Sequence, residues 1–308
     1  MPIITAIGET VLDIIIKDGK PLAANPGGSV LNTMVSLGRL GCRVRFITEL
    51  GQDAPGMQVK DFLADNCVDA GCACIYPDRQ TAIALAYLDT ENNAHYTFYK
   101  DYPQQRLQIP VPVFEAGGYF LFASSMAINP QVRPIIIALA KQAASAGVTV
   151  YYDPNCRPKA GQDASVAKQL MLENMRMSHI VRGSDEDFAH IFGHDDLALI
   201  WREIQSPLLQ MLICTHGADG VAVMRGGETF RFPVPQIQPV STVGAGDNFN
   251  AGILFGLAKS GIGQDGIASI HTEALAQLCS TAAECSAHVC CSLDNYISKE
   301  FALNLSAR

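Results

Sequence analysis

The sequence predicts an α/β fold, a mostly parallel sheet with helices on both faces, and three observations lead there. Short apolar runs bounded by glycines or polar turns alternate with stretches of helical apolar spacing along much of the 308 residues. Hydrophobic residues make up 48% and charged residues 17%, below the ~25% of an average globular domain, which suits a large core and not a disordered segment. Two hairpin-like stretches break the alternation, so a small second sheet is expected beside the main one.

The elements follow in order. Ile3 to Ile7 is a continuous apolar run ending at Gly8, the pattern of a strand buried on both faces. Leu12 to Lys17, the turn Asp18-Gly19 and Pro21 to Ala24 make the first hairpin. From Ser29 to Leu40, Val30, Leu31, Met34, Val35, Leu37 and Leu40 keep helical spacing, and Gly41 is the stop. Ala82 to Leu88, the polar turn Asp89 to Asn93 and the alternating His95 to Tyr99 form the second hairpin. Strands at Tyr119 to Ala123, Val148 to Tyr152 and Met211 to Thr215 then alternate with helices near Pro130 to Ala146 and Ala164 to Asn174. The expectation is one domain over 1–308, with the hairpins at about 12–25 and 81–101 forming the smaller sheet.

Several classes drop out. With 22 Lys plus Arg against 30 Asp plus Glu, the net charge is −8, and no basic run is dense enough to track a phosphate backbone, so nucleic acid is not an expected partner. The longest apolar runs, such as Ile135 to Ala140, fall short of the ~20 residues that span a bilayer. Since no basic-then-apolar leader opens the chain, the expected location is cytoplasmic, without membrane contact. The ten cysteines are then expected to stay reduced. Cys72 with Cys74, and adjacent Cys290 and Cys291, lack the paired spacing of a zinc site and read as small hydrophobes.

The chemistry concentrates in Ser241 to Gly252, which follows a strand-like Thr229 to Val234 and leads into a helix expected to reach Lys259 and stop at Gly261. Gly244 and Gly246 beside a helix N-terminus leave bare amides and the positive end of the helix dipole, which suit phosphate oxygens. Asp247 sits in the first turn, placed to orient an attacking alcohol. In a loose phosphoryl transfer the leaving-group bond is largely broken before that alcohol loses its proton, so positioning outweighs base strength.

The run Thr242-Val243-Gly244-Ala245-Gly246-Asp247, with Phe249, Ala251 and Gly252, resembles the C-terminal signature of the PfkB (ribokinase-like) carbohydrate kinases. The N-terminal signature is matched by Pro26-Gly27-Gly28-Ser29-Val30-Leu31-Asn32 and Leu37-Gly38-Arg39-Leu40-Gly41. The likeness extends through Gly8 to Asp13, Asp153-Pro154-Asn155-Cys156-Arg157, Ser184 to Asp187 and Thr215 to Gly220. Within the family, the hairpin from Thr81 through Tyr99 and the Asp-Pro-Asn-x-Arg element look most like bacterial fructokinases.

The resemblance implies an ATP-dependent sugar kinase with a ribokinase-like fold and a β-sheet lid that covers the sugar and often pairs two subunits. Asp247 would be the catalytic base, with the amides of Gly244, Ala245 and Gly246 as the anion hole. Asp13, Gly27, Gly28 and Asn32 would hold sugar hydroxyls, and Arg157 a phosphate or acidic group. Phe98 and Tyr99 alternate on one strand, so register decides which faces the sugar; Phe98 is the candidate. Ser184, Thr215, Gly217 and Gly220, with Gly244 and Gly246, would lie along the nucleotide. Asp187 would act through water on the magnesium of Mg-ATP.

Departures from the family pattern shape the remaining expectations. Ser241 stands where the family commonly has Asp beside a monovalent cation, so dependence on potassium is expected to be weak or absent. Ser184 stands where many relatives have Asn, and the segment Cys279 to Leu293 lacks the usual basic residue and glycine, so no adenine contacts are assigned. The leading reaction is D-fructose to fructose 6-phosphate. The alternatives are kinases of ribose, 2-keto-3-deoxygluconate or nucleosides, and a sugar sensor without turnover. A nicotinamide dehydrogenase is set aside because no Gly-x-Gly-x-x-Gly follows an early strand.

Overall fold

A computed structural model describes residues 1–89, 94–109, 112–156 and 163–308. The strands are β1 (Ile3–Ile7), β2 (Val11–Lys17), β3 (Lys20–Gly27), β4 (Arg43–Ile47), β5 (Glu49–Gly51), β6 (Val68–Asp69), β7 (Cys74–Tyr76) and β8 (Ile83–Leu88). They continue with β9 (Ala94–Tyr99), β10 (Tyr119–Ala123), β11 (Thr149–Asp153), β12 (Ile180–Ser184), β13 (Met211–Thr215), β14 (Val221–Arg225) and β15 (Glu228–Phe232). The helices are α1 (Ser29–Arg39), α2 (Ala54–Asp65), α3 (Arg133–Ser145), α4 (Ala164–Arg176), α5 (Asp185–Phe192), α6 (Leu197–Ile204), α7 (Ala245–Ser260), α8 (Thr272–Cys290) and α9 (Lys299–Ser306).

The main sheet runs in the order β15-β14-β13-β12-β11-β10-β1-β4-β6. Its strands are parallel from β6 to β13, and β14 and β15 close one edge antiparallel. The apolar runs are its centre: β1 and β10 are buried at every position. Because side chains alternate across a sheet, each strand feeds two cores. Ile4, Ala6, Tyr119 and Leu121 pack with residues of α1, α7 and α8, whereas Ile7, Phe120 and Phe122 pack with residues of α3 to α6.

Punctuation residues behave as expected. Gly41 and Gly261, both left-handed (φ 78° and 65°), follow α1 and end α7. α3 begins at Arg133 instead of Pro130, because Ser125–Ile128 first makes a 3-10 turn and Pro134, lacking an N–H, fits the first helical turn.

The two hairpins join into one four-stranded sheet, β3-β2-β8-β9. Asp18 and Gly19 both have positive φ (50° and 72°), the turn whose twist matches a hairpin. β2 and β8 then pair in parallel, with Asp13 opposite Ala84 and also opposite Asn25 on β3. Ala84 in turn pairs with Phe98. Asp13 and Phe98 therefore share a face, and Tyr99 lies on the other with Ile14, Ile83 and Leu85.

All ten cysteines are free thiols. Cys42, Cys214, Cys279, Cys285 and Cys290 are buried as small hydrophobes, while Cys67 and Cys291 are exposed. Among the described residues no helix is long and apolar enough to cross a membrane, and no cluster of His, Cys, Asp or Glu could hold a metal ion.

Candidate active site

The C-terminal ends of parallel strands are where open α/β sheets gather their ligand-binding groups. Here Gly8, Asp153, Ser184 and Thr215 end or follow β1, β11, β12 and β13. Two helix N-termini complete the edge: α1 starts after Gly28 and α7 after Gly244.

Side-chain bonds stitch those helices together. Asn32 Nδ2 donates to Asp247 Oδ2 at 2.8 Å, Thr33 Oγ1 donates to the Asp247 carbonyl at 2.9 Å, and Ser36 Oγ donates to Asn248 Oδ1 at 2.5 Å. Asn32 Oδ1 is buried with no partner among the described residues. An orphaned acceptor is costly in a core, so its presence beside Asp247 points to a ligand hydroxyl. Asp247 is itself buried, 8% exposed.

Gly28, the residue capping α1, has φ 129°, and a Cβ there would collide with the Glu9 carbonyl. A Cβ on Gly27 would overlap the Asp13 carboxylate. Gly28 is required by its positive φ and by the Glu9 backbone, whereas a side chain at Gly27 would displace the Asp13 carboxylate. Asp13, Gly27, Gly28, Asn32 and Asp247 thus form one chain of contacts. Burial pushes the Asp13 carboxyl up from 3.8 to about 7. Phe98 lies on the same face as Asp13, 53% exposed, and stacks on Tyr96 with ring centroids 5.8 Å apart.

At the start of α7, Gly244 is left-handed, φ 79°. The Ala245 amide turns back to the Thr242 carbonyl over a long 3.2 Å, so of the three expected donors those of Gly244 and Gly246 are the less engaged. Asn248 Nδ2 donates to the Gly244 carbonyl at 2.8 Å and to the Asn295 carbonyl at 2.9 Å. Cys279 belongs to α8, and the loop after it brings Asn295 under the glycine turn, which the sequence left unplaced. Ser241 Oγ accepts from the Val243 amide at 3.2 Å.

At the end of β12, Ser184 and Asp187 form a capping box at α5. Asp187 Oδ2 accepts from the Ser184 amide at 2.8 Å and its hydroxyl at 2.7 Å, and Oδ1 accepts from the Cys156 amide at 2.7 Å. Among the described residues these contacts leave about one of the carboxylate's four lone-pair positions. That donor set fits magnesium only through water, on an ion held mainly by phosphate oxygens. Gly217 and Gly220 are left-handed or extended at positive φ (52° and 111°), bending the link from β13 to β14. Arg157 lies outside the described residues.

Sequence reading missed Arg182. Its Nη1 pairs with Asp153 Oδ2 at 3.0 Å and its Nη2 donates to Thr215 Oγ1 at 2.5 Å. Burial disfavours the guanidinium charge, but Asp153 and Asp187 outweigh it and keep Arg182 ionised. Asn250 Nδ2 also donates to Asp153 Oδ2 at 2.6 Å, and Tyr151 donates to Asn250 Oδ1 at 2.9 Å. The available signal was one arginine within an apolar strand, since buried charges are paired.

The comparisons bear on the family and the fold. The pattern of the pfkB family carbohydrate kinases matches residues 1–300. A fructokinase of Klebsiella pneumoniae is 30% identical over 281 residues, covering 90% of this chain and 91% of that protein. Two solved structures share the fold. Aminoimidazole riboside kinase from Salmonella enterica, complexed with aminoimidazole riboside and an ATP analog, has a TM-score of 0.84 at 24% identity, covering 99% of each chain. A fructokinase double mutant from Vibrio cholerae O395, with fructose, ADP and potassium ion bound, has a TM-score of 0.84 at 20% identity, covering 99% of this chain and 98% of that one. With a family match over nearly its whole length and the signature helices bonded at Asn32 and Asp247, the chain belongs to the pfkB family of carbohydrate kinases and is an ATP-dependent sugar phosphotransferase.

Proposed function

We propose that the enzyme transfers the γ-phosphate of ATP to the primary hydroxyl of a furanose, with D-fructose to fructose 6-phosphate as the principal reaction. The observation that carries this is the Asn32–Asp247 bond, which sets a buried, unpartnered amide oxygen beside the carboxylate of the second signature. Asn32 Oδ1 and Asp13 accept sugar hydroxyl protons, and Phe98 covers a ring face. Asp247 orients the attacking hydroxyl and takes its proton, while the amides at Gly244 and Gly246 meet charge on the transferred group. Asp187 would reach, through water, the magnesium carried with ATP, which would supply charge neutralisation along the phosphates. The 30% identity to a fructokinase favours fructose within the family.

A second reading, a riboside with a planar base, is favoured by the Tyr96–Phe98 stack, whose exposed rings could seat such a base. The smaller sheet acts as the lid in either case. Its outer face, with Ile14, Ile83, Leu85 and Tyr99, suits pairing with a second copy, and ten free thiols suit a cytoplasmic setting. Coupled ADP release measured across fructose, ribose, 2-keto-3-deoxygluconate and aminoimidazole riboside tests the proposal. The highest kcat/KM is expected with fructose; a higher value with a riboside selects the second reading.

A further inference from the structure

Arg182 sits where the donor and acceptor halves of the reaction meet. It is 6% exposed, the middle residue of β12, and its guanidinium packs against the start of α7 at Gly246. A Cβ on Gly246 would come within 2.5 Å of Nη1 and 3.2 Å of Cζ. Nη1 is held by Asp153, Nη2 by Thr215, and the buried Nε has no hydrogen-bond partner among the described residues. One buried cation therefore touches the expected anion hole and the expected nucleotide strand together.

Its bond to Thr215 has a chemical consequence. A guanidinium only donates, so Thr215 Oγ1 must accept from Nη2, and the threonine's own proton is turned away from Arg182. A hydroxyl accepting from a cation is polarised into a better donor. We propose that Arg182 is a positioning residue that orients and polarises the Thr215 hydroxyl as a donor to a nucleotide phosphate oxygen, and fixes its spacing from Gly246. This rests on the ATP-dependent kinase reading and not on which sugar is used.

A purely structural Arg182–Asp153 pair would show in thermal unfolding alone, so the test reads nucleotide binding, with a fluorescent N-methylanthraniloyl ATP and Mg-ATP, beside kcat and both KM values. Thr215→Ser is expected to keep binding near wild type, and Thr215→Val to weaken it about 10-fold or more, the weight of a charge-assisted hydrogen bond. Arg182→Met is expected to weaken binding by a similar factor with the sugar KM unchanged, and Arg182→Lys to fall between. Because Arg182 acts through Thr215, the double variant is expected to lose no more than the worse single one. Where Arg182→Met does not fold, because Asp153 is left buried and unpaired, Arg182→Gln with Asp153→Asn removes both charges together. Losses that multiply in the double variant, or ATP binding untouched by every Arg182 change, overturn the inference. If no sugar is turned over while ATP binding follows the expected pattern, the proposed function fails and the role of Arg182 stands.

Discussion

In the proposed reaction Asp247 acts by position more than by basicity, and the side chains around it say how. Asn32 holds one carboxylate oxygen and Thr33 the backbone carbonyl, so Asp247→Asn keeps the frame while removing the charge. Turnover is expected to fall at least ~100-fold with ATP binding largely kept, measured as steady-state kcat beside nucleotide titration. Asp13 gives a pH signature. Its carboxyl is raised from 3.8 to about 7 by burial, so in the free enzyme it is neutral below that value, and only above it would both oxygens accept sugar hydroxyls with the strength of a charged acceptor. The sugar KM is expected to fall as pH rises from about 6 to about 8, and Asp13→Asn to flatten that profile. The same shift makes the folded state bind more protons than the unfolded chain between pH 4 and 7, so this group's contribution to stability declines as pH rises through that window. Ser241 offers a neutral hydroxyl, already accepting from Val243, where a carboxylate would balance a cation. Initial rates in tetramethylammonium buffer are expected to change little on adding potassium, and Ser241→Asp to introduce the dependence. Asp247, Gly244 and Asn32 were legible because each sits in a motif with its own physical reason. Asn295 was not, because it contributes a backbone carbonyl that any residue has.

Elements were legible where local chemistry decided them. Asp18-Gly19 announced a hairpin, and Gly41 and Gly261 announced helix ends, because positive φ is a local demand that few residues meet. The parallel pairing of β2 with β8 was not legible, since it joins strands some seventy positions apart and leaves no local trace. Together with the β8–β9 register, that pairing places Phe98, and not Tyr99, on the face of Asp13. If the sheet closes over the sugar, fructose is expected to protect the amides of Ile14 to Ala24 and Ile83 to Leu88 from hydrogen exchange, because closure suppresses local opening. Unchanged exchange under saturating sugar would count against a moving lid.

At the scale of the whole molecule, alternation of apolar strands and helices was enough to predict a parallel sheet between two helical layers, because every central strand must be buried on both faces. The antiparallel edge of β14 and β15 and the late helices α8 and α9 come from tertiary packing. Their contribution reaches the site through the Asn295 carbonyl and the Ile297 amide, which donates to Ser36 Oγ at 3.2 Å. The bond from Asn32 to Asp247 spans 215 positions of sequence. During synthesis the first signature helix therefore leaves the ribosome long before the residue it must hold, and no nascent intermediate contains a working centre. Loop-closure entropy opposes contacts of such separation, so they form late in folding. In refolding from denaturant, helical signal is expected to return before phosphoryl transfer does, and a half-made chain cannot waste ATP.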